Sequence, residues 1–314
     1  MKIISKARIA ALDIAPATCV EWVKESFSIK KHSQLPAKIS VHPSGVDFYT
    51  AMPCLLPDSY DRYCLKLVSR LKDAVPALSS LIQLYETSSG RLLSLMDGDW
   101  ITAMRTGAVA TLAAQTFRRS GEIVYSFVGL GNVAVATMLC LLESEPDIHH
   151  NVLLFRYKDA AEIFIERFRG YGNVTFSICD SLPEMFSASD VIFSCITQAD
   201  GLLCEDENCF RPGVLLVPVH TRGFQNCDLF FDKVFADDTA HVQNFKYFKQ
   251  YRYYAEIEDV IEGKAEGRTG DEERIISYNV GLGLHDALFA SKIYGMVDDV
   301  PEVELEKEQK KLWL

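Results

Sequence analysis

Two rhythms of apolar and polar positions divide this chain. Up to about residue 118, helix and short strands mix. KISVHP, VDFYTAM, YCLKLVS and SLIQLYE alternate apolar with polar side chains, the period of half-buried strands. SSGRLL separates LIQLYE from LLSLMDG and predicts a hairpin turn. LDIAPATCVEWVKESFSI has the spacing of an amphipathic helix, and the alanine-rich ITAMRTGAVATLAAQTF predicts a long helix with Thr102 near its start. From Glu122 the order becomes strand, helix, strand. IVYSFVGL, NVLLFRY, NVTFSI, DVIFSCI, GVLLVPV and KVFADD are apolar on both faces, with helical stretches AVATMLCLLE and AAEIFIERFRG between the first of them. That pattern predicts a parallel, doubly wound sheet. HVQNFKYFKQYRYYAEIEDVIEG reads as helical, SKIYGMV returns the chain to the first lobe, and PEVELEKEQKKLWL reads as a solvated helix.

Bulk properties narrow the class without choosing a function. A chain of 314 residues is long for one core, so two lobes are expected. A net charge of -11 without basic runs argues against a nucleic-acid binder. No apolar run reaches the roughly 18 to 20 residues that span a bilayer. The N-terminal apolar patch is broken by Lys6, Arg8 and Asp13, so no secretory leader is expected. Nine cysteines, an odd number, contain no Cys-x-x-Cys pair. Several sit in apolar runs, where free cysteine behaves as a small hydrophobe. The expectation is a reducing cytoplasm, with neither a disulfide framework nor a zinc site.

Chemistry first enters at FVGLGNVA. Gly129 permits a tight turn after a strand, and Gly131 lets backbone approach a ligand. Leu130, Asn132 and Val133 complete a turn whose following helix offers N–H groups to a pyrophosphate. Ala134 takes the third small position. The next strand should end at the ribose. A carboxylate there would bind the 2′-hydroxyl of NAD, but this chain has Arg156 with Lys158 close by, which favours NADP.

Together the motifs resemble the ornithine cyclodeaminase and mu-crystallin family over nearly the whole chain. The resemblance rests on AMP at 51–53, CLKLVS with Lys66, SSGRLLSLMDGDWITAMRTGA with Arg105, VGLGNVA, DVIFSCIT, and IEGKAEGRTGDEERIISYNVGLGLHD. It implies a substrate and dimerisation lobe of α+β type from residues 1–118 and 288–314, with a Rossmann domain (119–287) inserted in it. It also implies a homodimer and a nicotinamide cofactor in the cleft. By the same resemblance Lys66 and Arg105 hold the substrate beside the nicotinamide. Thr106, read as lying at a helix start, contacts cofactor phosphate, and Thr197 lines the nicotinamide. The chemistry suits these roles. A guanidinium grips a carboxylate through two hydrogen bonds, and an ammonium can stabilise or protonate a reacting nitrogen or oxygen.

The chain departs from the family pattern in ways that bear on the reaction. Lys38 stands where the family usually has an arginine for the substrate carboxylate. Thr50 replaces a glutamate of the ornithine-cyclising members. After VPV, His220 replaces an aspartate, with Arg222 beside it. Closing ornithine into a ring needs a carboxylate to hold or deprotonate the distal amine. The expected function is therefore NAD(P)-dependent hydride transfer to or from a small anionic amino, imino or opine-like acid, with His220 a candidate acid–base. A redox-neutral ornithine cyclodeaminase and a non-catalytic NADPH-dependent binding protein are the alternatives. Asp237, Asp238, His285 and Asp286 read as helix caps.

Overall fold

The structure, a computed structural model, describes residues 1–197, 199–220 and 222–304. The chain divides into two compact units, Met1–Ile14, Ile29–Thr102 and Gly283–Leu314 in one, Ala15–Ser28 and Ala103–Leu282 in the other. No helix among the described residues is long and apolar enough to cross a membrane.

The first unit is built on a six-stranded sheet. Its strands are β1 (Lys2–Ile4), β2 (Ile39–Val41), β3 (Phe48–Leu55), β4 (Arg62–Arg70), β5 (Leu78–Glu86) and β6 (Arg91–Asp97), in the order β1-β6-β5-β4-β3-β2. The β5–β6 hairpin forms as its turn residues predict. β1 and the short helix α1 (Lys6–Ala10), capped by Ser5, were not evident from the pattern. β1 joins β6 in parallel. Residues 301–304, expected to begin a helix, instead lie extended along β1, with Val303 N–H donating to Met1 O at 2.9 Å. The rest of that expected helix, 305–314, lies outside the described residues.

Strand alternation gives this sheet two faces. The register Met52–Lys66–Ile82–Met96 forms an inner row, all four residues under 5% exposed. The last helix, α9 (Gly283–Met296), packs over β3, β4 and β5. It is apolar on nearly every side, as a covered helix must be. Gly283 makes the approach possible, because a Cβ there would stand 3.2 Å from Met52 O. The outer row is Ile39–Ala51–Leu67–Leu81.

The second unit holds a parallel sheet of eight strands. They are β7 (Val124–Val128), β8 (His150–Phe155), β9 (Val174–Cys179), β10 (Val191–Ser194), β11 (Leu215–Pro218), β12 (Lys233–Ala236), β13 (Tyr254–Glu256) and β14 (Ile275–Tyr278). The order β13-β12-β14-β11-β10-β7-β8-β9 reverses direction between β7 and β10, the switch point where doubly wound sheets bind ligands. β10, β11, β12 and β14 are buried along their whole length, which explains their unbroken apolar runs. The accompanying helices are α2 (Pro16–Ile29), α3 (Asp99–Phe117), α4 (Asn132–Ser144), α5 (Ala160–Phe168) and α6 (Leu182–Ala188).

The segment after β12 departs from expectation. It is not one helix but the single turn α7 (Thr239–Val242), β13, and the short α8 (Ile257–Ile261). Its aromatic spacing serves a cluster instead: Phe248 meets the rings of Tyr251 and Tyr254 at 5.2 and 5.0 Å. Parallel pairing with Val234–Ala236 then fixes 254–256 as an edge strand.

Candidate functional site

The phosphate turn has the form its sequence predicts. Gly129 adopts φ +87, and a Cβ there would stand 2.8 Å from the backbone of Cys195 and Ile196. Only glycine fits where β7 leaves the sheet against the end of β10. A Cβ on Gly131 would meet nothing within 4 Å, so the space before α4 is open. Gly131 is the N-cap of α4 and offers no side-chain cap, which leaves the first-turn N–H groups to a ligand. A pyrophosphate fits this cradle in shape and charge.

Arg156 follows β8, at the end of the neighbouring strand. Its Nε donates to Asp180 at 2.5 Å and its Nη1 to Glu162 at 2.7 Å. The guanidinium is 43% exposed and Lys158 stands nearby at φ +53. The ribose end is therefore mixed in charge rather than simply basic. Arg156 had been read without these two carboxylates.

α3 brings the second cation to this unit. At Gly107 a Cβ would lie 2.5 Å from Ala136 C and Thr137 N, so α3 meets the second turn of α4 backbone to backbone. Thr111 Oγ1 donates to Thr137 O at 3.2 Å and strengthens the contact. Arg105 and Thr106 sit two turns into α3 rather than at its start, where they had been read, and are 6% and 8% exposed. The Arg105 guanidinium lies over Gly281, just beyond β14. A Cβ on Gly281 would come within 2.3 Å of Arg105 Nη1. Gly281 N–H in turn donates to Asp237 Oδ2 at 2.7 Å. Asp237 thus secures the Arg105 seat rather than capping α7, and Asp238 takes the N-cap position, its carboxylate 2.9 Å from His241 Nδ1.

His220 follows β11. Its Nδ1 accepts Arg222 N–H at 3.2 Å, which places the ring proton on Nε2, 2.7 Å from Ser194 Oγ. Burial pulls the imidazole pKa down to about 4, so the ring is neutral at pH 7. With both nitrogens engaged, acid–base work by His220 requires one bond to be given up. Arg222 contributes its backbone here, while its side chain is exposed, as is Thr197 just past β10.

The first unit holds the remaining polar candidates. Lys66 Nζ donates to Asp286 Oδ1 at 2.9 Å, with the two side chains 1% and 0% exposed. Asp286, expected as a cap, is the ion-pair partner of Lys66. Its charge also reaches Cys54, whose thiol is pushed up to about 12, first by burial and then by this carboxylate. Thr50 lies next along the inner face of β3, and its Oγ1 is 2.7 Å from Ser40 Oγ. Lys38 is half-buried immediately before β2.

The sequence profile of the ornithine cyclodeaminase/mu-crystallin family matches residues 3–300. The chain belongs to this family. The Nodulation efficiency protein NfeD of Rhizobium meliloti is 23% identical, covering 95% of each chain. The Delta(1)-pyrroline-2-carboxylate reductase of Thermococcus litoralis, solved with NADH and L-proline, superposes with a TM-score of 0.83. It is 21% identical and covers 94% of this chain and 97% of its own. An archaeal alanine dehydrogenase dimer with bound NAD superposes at 0.78, with 22% identity over 94% and 95% of the two chains. These likenesses show that the ornithine cyclodeaminase/mu-crystallin chain has the two-unit Rossmann-type α/β fold expected of it.

Proposed function

We propose that this protein is an NAD(P)-dependent oxidoreductase that transfers a hydride to or from the α-carbon of a small amino or imino acid, opine-like acids included. The observation that carries the reading is the seat of Arg105. Gly107 pins α3 to α4, and Gly281 receives the guanidinium beyond β14, so a fixed cation stands on the same unit as the phosphate turn. A bound nicotinamide would supply or accept the hydride. Gly129, Leu130, Gly131, Asn132 and Val133 would hold its pyrophosphate, with Thr106 beside them and Thr197 lining the ring. Arg105 grips the substrate carboxylate. Lys66, held by Asp286, stabilises or protonates the substrate nitrogen or oxygen. Lys38, Thr50 and Arg222 complete the substrate contacts. The reductase and dehydrogenase activities of the two structural neighbours support this reading.

NADP is favoured over NAD. The ion pairs of Arg156 are solvent-exposed and therefore weak, so a 2′-phosphate can displace Asp180 and Glu162. Ornithine cyclisation is disfavoured. At the two positions where that chemistry calls for carboxylates, this chain presents a threonine tied to Ser40 and a neutral histidine. Nine thiols suit the cytoplasm.

We also propose a homodimer formed through the outer face of the six-stranded sheet. In its row Ile39, Leu67 and Leu81 are 66%, 43% and 49% exposed. A contiguous apolar row of that kind marks an association surface. Light scattering should give twice 35.3 kDa for the wild type and a monomer for a Leu67→Lys, Leu81→Glu variant.

The decisive assay follows the absorbance of reduced nicotinamide with cyclic and linear imino acids. Stoichiometric oxidation is expected, and Arg105→Ala should lose about 2–5 kcal/mol of transition-state stabilisation. Release of proline and ammonia from ornithine with only catalytic cofactor would establish the lyase instead. Tight NADPH binding without turnover on any such acid would establish a binding protein.

A further inference from the structure

The cysteines contain no Cys-x-x-Cys pair, yet the fold brings some of them together. Cys54 and Cys64 face each other across β3 and β4, and Cys19 of α2 neighbours Cys140 of α4. All four are 0% exposed, out of reach of a reagent in solution. Cys204 and Cys209 differ. They lie in the connection from β10 to β11, on either side of the exposed run Glu205–Asn208. Asp206 caps a single 3₁₀ turn over Glu207–Cys209, its carboxylate accepting Asn208 N–H at 2.9 Å. The turn folds Cys209 back towards Cys204. Cys209 N–H donates to Asp206 O at 3.1 Å, and the Cys204 thiol donates to the same oxygen at 3.3 Å. The two thiols are in hydrogen-bonding contact. Cys204 is 6% exposed and belongs to the core that includes Ile192 of β10 and Leu216 of β11. Cys209 is half-buried and packs against that core.

This arrangement gives the two thiols different parts. Cys204 is a poor first nucleophile, because burial, and then the Cys209 contact, pushes its thiol up to about 12. Its backbone is also fixed: Leu203 N–H donates to Gly223 O and Asn226 Nδ2 to Cys204 O, both at 2.8 Å. Drawing the sulfurs from contact to a bond of about 2.05 Å therefore falls on the exposed turn. Glu205, Asp206 and Glu207 repel an anionic oxidant and leave a neutral one. We propose that Cys204 and Cys209 form a reversible redox site for a neutral peroxide, Cys209 being oxidised first and Cys204 closing the disulfide. The Cys209 thiol takes one oxygen from hydrogen peroxide, giving a sulfenic acid and water. The Cys204 sulfur then attacks the Cys209 sulfur, and the hydroxyl leaves with the Cys204 proton as a second water. Two thiols and one peroxide yield one disulfide and two waters. Closure spares Cys209 the irreversible sulfinic state. The site lies within the second unit and stands apart from the cofactor reading.

Mass spectrometry of the full chain, after hydrogen peroxide and again after dithiothreitol, tests this. The wild type should lose two hydrogens in the segment spanning Cys204 and Cys209, and dithiothreitol should restore them. Cleavage of the oxidised protein after Glu205 or Glu207 should leave the two halves joined until reduction. Cys204→Ala should instead gain oxygens at Cys209 that dithiothreitol does not fully remove. Cys209→Ala should stay reduced at Cys204 under the same treatment. A wild type in which both thiols survive a peroxide dose that fully oxidises free cysteine overturns the proposal. So does a disulfide from Cys204 to Cys227, the other thiol in this core. Sulfinic acid forming at Cys209 as fast in the wild type as in Cys204→Ala would show that Cys204 resolves nothing. Were the variants not to fold, the wild-type masses before and after reduction would still decide the matter, since irreversible oxygen gain at Cys209 in place of hydrogen loss contradicts the assignment.

Discussion

Asp286→Asn is the most informative single change in the first unit. It removes one charge from a pair 2.9 Å apart whose side chains are 1% and 0% exposed. The ammonium left behind shares its row with Met52, Ile82 and Met96. Removing one partner of a buried ion pair costs about 3–5 kcal/mol, against a total stability of about 5–15 kcal/mol. With a urea dependence of about 2 kcal/mol per molar, the unfolding midpoint should fall by roughly 1.5–2.5 M. Lys66→Met should do similar damage by removing the other partner of the same pair. The double variant Lys66→Met, Asp286→Leu should recover most of the loss, because a well-packed apolar pair avoids both desolvation penalties. Urea unfolding followed by circular dichroism on all four proteins completes the cycle. Losses below about 1 kcal/mol in both single variants, or a double variant as unstable as their sum, would refute the ion pair as described.

Three further outcomes follow from particular contacts. Gly281→Ala should raise KM for the acid substrate with little change in nucleotide affinity, because the new Cβ displaces the Arg105 guanidinium; steady-state kinetics beside calorimetry would check this. His220 has a folded-state pKa of about 4, below its ordinary 6.5, so the unfolded chain takes up the proton first and stability falls as pH drops from 6.5 towards 4. That contribution is roughly 2–3 kcal/mol after allowance for partial exposure, and His220→Gln should flatten the fall relative to wild type in melts across this range. Asp180→Asn should tighten NADPH binding relative to NADH by freeing Arg156, while Arg156→Asp should reverse the preference; competition titrations read both ratios.

Much of this architecture was visible as periodicity. Strands β3 to β5 alternate because α9 packs over one of their two faces. The parallel strands read as unbroken apolar runs because both their faces are covered. Gly129 was legible because a positive φ and a close backbone approach leave glycine as the only fit. What stayed hidden is spatial. β14 inserts between β11 and β12, and chain order carries no sign of it. Asp286 reaches Lys66 across 220 residues, and Asp237 reaches Gly281 across 44, so both carboxylates looked like local caps. The aromatic run after β12 was misread because its spacing serves a ring cluster and a sheet edge, two demands that happen to resemble a helical stripe.

The central claim is that a nicotinamide cofactor exchanges hydride with the α-carbon of an amino or imino acid under the hold of Arg105. Mass spectrometry of the amino acid formed from an imino acid and a reduced cofactor deuterated at C4 tests this directly. The account predicts one deuterium on the α-carbon of the product, with almost no product when Arg105 is replaced by alanine. A product carrying only solvent hydrogen at that carbon, or wild type and Arg105→Ala forming labelled product at the same rate, would contradict it.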